Sequence, residues 1–162
     1  MGLKKFAVSL APTPLVKLFA SPYVAGDSSG AAVDAAQKLW DERRVCSTID
    51  MLGEEMKSDE EVQYSVDVYE TLIDALGTQD YATISLKPTQ LGNHRGMENC
   101  QKIIEGIVRQ AEKYNIKVTL DMEDNSFTDM TLDIFRALNK DHPTFGTVLQ
   151  SRLFRTDDDI IS

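Results

Sequence analysis

Four short β-type segments, each ending in a polar residue, constrain the fold of this chain more than any other feature. The four polar residues are Asp50, Lys87, Asp121 and Gln150, and their separations are 37, 34 and 29 residues. Each interval can hold a strand, a crossover helix and two loops. The spacing therefore predicts consecutive parallel βα units, whose right-handed crossovers place all four polar residues on one edge of the sheet.

The predicted strands are rich in β-branched and apolar residues. They cover residues 45–50, 82–86, 117–121 and 145–149. Pro88 cannot donate to a β-ladder and favours an extended residue before it, so Lys87 is predicted to be the last residue of the second strand.

Helical patterns precede the first strand and fill the three intervals. Ser58 and Glu61 have the spacing of a capping box, and Gly77 can end that helix in a left-handed conformation. Periodic apolar residues predict the other helices. One is capped by Asp27 or Ser28 and ends near Arg43, and two more cover residues 97–114 and 129–138. Asp157 to Asp159 are interpreted as the N-cap of a helix that the sequence does not continue.

Chain length leaves two architectures open. The 162 residues can bury the core of one domain. A closed barrel of βα units takes about 250 residues, whereas an open doubly wound sheet is complete near this length. The count alone therefore allows either an open sheet or half of a barrel.

Charge and cysteine usage exclude several classes of function. A formal net charge of −9 argues against nucleic acid as a partner, because phosphate binding needs clustered cations. Cys46 and Cys100 suggest neither a disulfide framework nor a zinc site, and they fit a reducing interior. With His94 and His142 as the only histidines, a multi-histidine metal site is excluded and no metal is expected.

Residues 1–22 are basic and apolar, but Pro12, Pro14 and Lys17 interrupt the apolar run. We expect a packed leader rather than a cleaved signal peptide. No run approaches the roughly 18 apolar residues of a spanning helix. The leader leaves open a peripheral membrane contact.

Lys87 is the strongest candidate for a binding or catalytic residue. At the tip of a buried strand its ammonium can hold an anionic substrate, or, once desolvated and neutral, attack a carbonyl as an aldolase-type nucleophile. A lysine that merely extends along the rim into solvent is the third interpretation.

The other polar residues also have alternative interpretations. Asp121 either lines a site or, with the acids after it, begins a loop and caps a helix. The amide of Gln150 both donates and accepts, which suits the edge of a heterocycle, and Arg155 either contacts a phosphate or lies in a solvated loop. For Asp50 and Glu54 we favour a capping or structural role.

Five segments occur in an order that is specific as a set. They are residues 23–27 (YVAGD), 48–54 (TIDMLGE), 85–92 (SLKPTQLG), 119–124 (TLDMED) and 148–156 (VLQSRLFRT). Together they resemble the FAD-dependent proline dehydrogenase family, in its monofunctional bacterial form. The resemblance covers most of residues 20–160.

The resemblance implies a distorted (β/α)8 TIM-like barrel. From the cysteines we expect a cytoplasmic protein, and the leader leaves open a peripheral contact with the inner membrane. Such a barrel binds FAD and oxidises L-proline to 1-pyrroline-5-carboxylate, and the electrons pass to a quinone or another acceptor. By this resemblance Lys87 helps to hold the proline carboxylate, Asp121 belongs to the polar network of the site, and Gln150 contacts the pyrimidine edge of the flavin. A point-charge role for Lys87 argues against the Schiff-base alternative.

Later strands of that family supply arginines and most FAD contacts that have no match here. Residues 23–162 are therefore expected to form a partial domain, the first four βα units or N-terminal half of the barrel. The missing half would come from a longer product or a second chain. The alternative is a non-catalytic αβ half-barrel that binds a partner or self-associates. Whether FAD binds without the later strands stays open, as do the electron acceptor and the oligomeric state.

Overall fold

Helices and parallel strands alternate along the chain. The structure is a computed structural model that describes residues 24–53 and 55–161. The elements are α1 (Ser29–Arg43), β1 (Ser47–Asp50), α2 (Asp59–Leu76), β2 (Ala82–Leu86), α3 (Met97–Lys113), β3 (Val118–Leu120), α4 (Thr128–Leu138), β4 (Phe145–Thr147) and α5 (Thr156–Ile161). Short 3-10 turns cover Pro88–Gln90, Asn93–Arg95 and Asn125–Phe127.

The strands form one four-stranded parallel sheet in the order β1-β2-β3-β4. Asp50 lies beside Ser85, and Leu86 lies beside Leu120 in the ladder. A doubly wound sheet reverses its strand order at a switch point, whereas the described strands keep their sequence order throughout. The predicted α/β class with consecutive parallel βα units is therefore confirmed, and the strand order is that of successive strands in a barrel.

The core lies between the sheet and the helices that cross over it. Along β2, Ala82, Ile84 and Leu86 are buried while the residues between them are half-buried. Tyr69 of α2 and Ile104 of α3 are fully buried in the same cluster. Burying a large aliphatic side chain such as Ile84, Leu86 or Ile104 stabilises the fold by about 1.5–3 kcal/mol. The buried face of β2 therefore fixes the register of the strands.

Helix α2 begins and ends as its sequence predicts. The Ser58 hydroxyl accepts from the Glu61 amide at 3.2 Å, and the Glu61 carboxylate accepts from the Ser58 amide at 3.1 Å. Hydrogen bonds that the backbone amides of Lys57 and Ser58 donate to the Glu61 carboxylate lower its pKa. Gly77 ends the helix as predicted, but with φ +55° and ψ −160° it adopts another positive-φ conformation open to glycine rather than the predicted left-handed helical one.

Three details differ from the predicted elements. The first, third and fourth strands are shorter than predicted, and Lys87 lies one residue beyond β2, although its φ of −114° and ψ of 126° are extended. A six-residue helix, α5, does begin here, as interpreted, but it starts at Thr156, so Asp157 to Asp159 lie in its first turn rather than at its N-cap. The three acids lie in the first turn of α5, where the helix dipole stabilises negative charge.

The described residues contain no helix both long and apolar enough to cross a bilayer. The predicted leader, residues 1–22, and the predicted structural role of Glu54 lie outside the described residues.

Candidate functional site

A lysine and two carboxylates meet at the carboxyl edge of the sheet. The ammonium of Lys87 forms an ion pair with the carboxylate of Asp50, and its Nζ lies 3.9 Å from Oδ2 of Asp121. The Lys87 side chain is 12% exposed, whereas Asp50 and Asp121 are 34% and 35% exposed. Because β2 lies between β1 and β3, the central strand places a cation between acids from both neighbouring strands.

Asp50 therefore lies in this polar group rather than capping a helix. The residue that caps α2 is Ser58. Asp50 is the last residue of β1, and its ladder partner Ser85 precedes Lys87 by two residues. That register brings the carboxylate within reach of the lysine, and the resulting ion pair is compatible with the structural role predicted for Asp50.

The segment after β3 divides its acids between two tasks. Asp121 faces Lys87 and accepts a hydrogen bond from the Met122 amide at 2.9 Å. Asp124 caps the following 3-10 turn by accepting from the Ser126 amide at 2.9 Å. The hydrogen bonds from Ser126 lower the pKa of Asp124. The capping interpretation is thus confirmed for Asp124, whereas Asp121 lies beside Lys87 at the strand tips.

The turn Pro88–Gln90 ties the neighbouring strand tips together. The Thr89 amide donates to Oε2 of Glu123 at 2.9 Å, and the Thr89 hydroxyl donates to the other oxygen of the same carboxylate. On the opposite side, the Met56 amide donates to the Thr89 carbonyl at 3.0 Å. The turn therefore bridges the loop after β1 and the segment after β3.

Gln150 lies three residues beyond β4, beside the segment that contains Asp121. Its Nε2 donates to the carbonyls of Met122 at 3.0 Å and Glu123 at 3.3 Å. These two bonds use both protons of the amide nitrogen. The amide oxygen is consequently the group that Gln150 can offer to a ligand without breaking them.

Arg155 is bound to carboxylates. It forms two hydrogen bonds with Asp159, at 2.8 and 2.9 Å, and an ion pair with Asp129 at 2.7 Å. These bonds raise the pKa of the Arg155 guanidinium. A phosphate at Arg155 would therefore have to compete with two carboxylates.

A cleft of about 320 Å³ opens beside Lys87. Its lining residues are Glu55, Lys87, Thr89, Asp121, Met122, Glu123, Asp124 and Phe127. Acids outnumber the single lysine in this lining. An anionic ligand in the cleft therefore requires further cations, whereas a cationic group would be favoured there.

Two buried polar residues near the ends of β1 and β2 were not singled out from the sequence. Tyr69 and Gln90 are both fully buried, and they are hydrogen-bonded to each other and to the backbone around the site. Tyr69 falls on the apolar stripe of α2, where its pattern cannot be distinguished from that of a core residue. Gln90 lies three residues after Lys87, and this proximity was the one signal in the sequence that could have marked it as a functional residue.

Comparison with known proteins assigns the chain to a family. The sequence model described as "Proline dehydrogenase" matches residues 32–162. Proline dehydrogenase 1 of Bacillus subtilis (strain 168) is 33% identical over 145 residues, which are 89% of this chain and 48% of that protein. The proline dehydrogenase of Deinococcus radiodurans is 33% identical over 149 residues, covering 85% of this chain and 46% of that protein.

A solved structure gives the same fold. Proline utilization A (PutA) from Bdellovibrio bacteriovorus, inactivated by N-propargylglycine, matches 98% of this chain with a TM-score of 0.81 and 22% identity. The match covers 20% of that chain. The chain spans about half the length of the curated relatives it matches. Since the family model covers most of the residues, the chain belongs to the proline dehydrogenase family.

Proposed function

We propose that this chain supplies the first four βα units of a (β/α)8 barrel that oxidises L-proline to 1-pyrroline-5-carboxylate. In this proposal FAD is the cofactor, and a quinone or another acceptor takes up the electrons. The observation that carries the proposal is the position of Lys87, whose ammonium lies at the carboxyl edge between Asp50 and Asp121 in a chain of this family. In parallel α/β folds, that edge is where substrates bind.

Lys87 is proposed to attract the carboxylate of proline as a point charge. A lysine nucleophile would need a desolvated amine without carboxylate partners, whereas Lys87 has two such partners. Because Asp50 and Asp121 already balance its charge, the substrate carboxylate also needs further cations. We propose that Asp121 orients such cations as well as Lys87.

The residues present fit one edge of a flavin but not a whole FAD molecule. Gln150, with its nitrogen bound to backbone carbonyls, offers its oxygen as an acceptor for the imide N–H of a flavin ring. The cleft of about 320 Å³ suits a molecule the size of proline, and its acids disfavour a pyrophosphate. FAD, when bound, would supply the acceptor for the hydride that leaves proline. Its pyrophosphate contacts would come from residues beyond those described.

We also propose a cytoplasmic location with a peripheral contact to the inner membrane, close to a quinone acceptor. The support for this is the basic and apolar composition of residues 1–22.

The test is the visible absorption spectrum of the purified chain after FAD is added and excess FAD removed, followed by proline under anaerobic conditions. The same measurement is made after mixing the chain with the part of Bacillus subtilis proline dehydrogenase 1 that the chain does not match. A retained flavin band that bleaches with proline, in either sample, supports the proposal. The Lys87→Met variant keeps most of the aliphatic stem and serves as the control, in which bleaching should need far more proline.

Two outcomes would contradict the proposal. A flavin band that persists at saturating proline in both samples would exclude proline oxidation at this site. A folded chain that retains no flavin alone or in the mixture would instead indicate a non-catalytic αβ module.

A further inference from the structure

Gln90 is a fully buried amide placed three residues after Lys87. Burying an amide costs free energy unless its hydrogen bonds are made. Its Nε2 donates to the carbonyls of Met51 at 2.8 Å and Gly53 at 2.6 Å. Both bonds reach the loop that begins immediately after Asp50.

The chemistry of these partners fixes the orientation of the amide. Backbone carbonyls only accept hydrogen bonds, so the nitrogen of Gln90 must face Met51 and Gly53, and its oxygen must face the opposite side. There the hydroxyl of Tyr69 lies 3.0 Å from Oε1 of Gln90 and 3.0 Å from the Ser85 carbonyl. Both of these are acceptors, so the phenol is the donor and its single proton is shared between them.

Tyr69 keeps the proton that this role requires. Burial raises the pKa of Tyr69, and the negative charges of Asp50, Glu123 and Asp121 raise it further. The ring is fully buried in α2, which packs against the sheet. The hydroxyl therefore joins a rigid helix to the amide of Gln90.

The loop after β1 is shaped to accept this contact. Gly53 has φ +136°, a conformation that side chains with a Cβ rarely adopt. A Cβ at Gly53 would lie 3.1 Å from the Met56 side chain and 3.9 Å from Nε2 of Gln90. The same loop receives its second anchor where the Met56 amide donates to Thr89.

We propose that Gln90 is a positioning residue, oriented by Tyr69, that fixes the loop after β1 and so holds Asp50 against Lys87. The importance of this for catalysis rests on the proposed function, in which Lys87 attracts the substrate carboxylate. The positioning itself is a property of the chain and is measurable without flavin or proline. Without the hydrogen bonds from Gln90 to the loop, the Met51 backbone moves and Lys87 loses one of its two carboxylate partners.

The test measures the accessibility of Lys87 in the full chain. The protein is treated briefly with a limiting amount of an acetylating N-hydroxysuccinimide ester, and acetylation of each lysine is quantified by peptide mass spectrometry. Lys38, whose side chain is 71% exposed, is the internal reference. The Gln90→Met variant keeps the length of the side chain but removes both donors and the acceptor.

We expect the ratio of Lys87 to Lys38 acetylation to rise at least about threefold in Gln90→Met, since a lost hydrogen bond shifts a local equilibrium by a factor of about two to ten. The Ile134→Val variant removes one methyl group from the core in α4, a different element from those that carry Gln90 and Tyr69. It should leave the ratio unchanged. Tyr69→Phe should give a smaller rise in the same direction, because it removes the bond that orients the amide.

An unchanged ratio in folded Gln90→Met, or an equal rise in Ile134→Val, would overturn the proposal. If Gln90→Met does not fold, the ratio in Tyr69→Phe decides the question. A raised ratio, in a protein whose flavin band does not bleach with proline either alone or in the mixture, would leave the positioning role intact and refute only the proposed function.

Discussion

The ion pair between Asp50 and Lys87 should contribute measurably to stability, unlike a surface pair. Exposed pairs contribute about 0–1 kcal/mol, whereas breaking a fully buried pair costs about 3–5 kcal/mol. This pair is intermediate, because Lys87 is 12% and Asp50 34% exposed, and Lys87 retains Asp121 at 3.9 Å when Asp50 is removed. We therefore expect Asp50→Ala to lower the free energy of unfolding by about 1–3 kcal/mol.

A double-mutant cycle separates the pair from other effects of each substitution. Urea unfolding of the wild type, Asp50→Ala, Lys87→Met and the double variant should give a coupling energy of about 1–2 kcal/mol. The matched control is the pair of Glu98 and Lys102 on α3, at 2.8 Å, with side chains 85% and 71% exposed. Its coupling should be clearly smaller, because solvent screens two exposed charges. Equal couplings for the two pairs would refute the argument that burial makes the site pair stronger.

Three further predictions concern single residues. The capping box lowers the pKa of Glu61 below its usual 4.5, so its contribution to stability is present above that pH and is lost as the pH falls through the lowered value. The difference in unfolding free energy between wild type and Glu61→Gln should thus shrink in acid, and a difference independent of pH would contradict this. Burial, aided by the charge of Glu123, raises the pKa of Cys100 to about 12, whereas Cys46 is exposed. At about pH 8 a thiol reagent should therefore modify Cys46 in the native protein and Cys100 only on unfolding, and rapid native labelling of Cys100 would refute its burial. In the assembled enzyme, Lys87→Ala should weaken proline binding more than flavin binding, as measured by separate titrations. Loss of flavin with proline affinity retained would show that the assigned role is wrong.

The order of elements was predictable because each depends on neighbours in sequence. Ser58 and Glu61 lie three residues apart and cap a helix by local bonds, and Gly77 ends that helix by its own backbone freedom. The convergence of Lys87 and Asp121 was also predictable, since consecutive parallel strands direct their carboxyl ends to one edge.

Contacts between distant residues depended on the tertiary structure. The pairing of Asp50 with Lys87 follows from the register of β1 on β2, which sequence spacing alone does not define. Tyr69 occupies a position on α2 where any large apolar residue would give the same periodicity. Its hydroxyl partners, Ser85 and Gln90, lie 16 and 21 residues away, and only the packing of α2 on the sheet brings them within hydrogen-bond distance. Local sequence patterns thus define the helices and strands and the sheet edge where the polar residues gather, whereas three-dimensional packing selects which polar atoms pair at that edge.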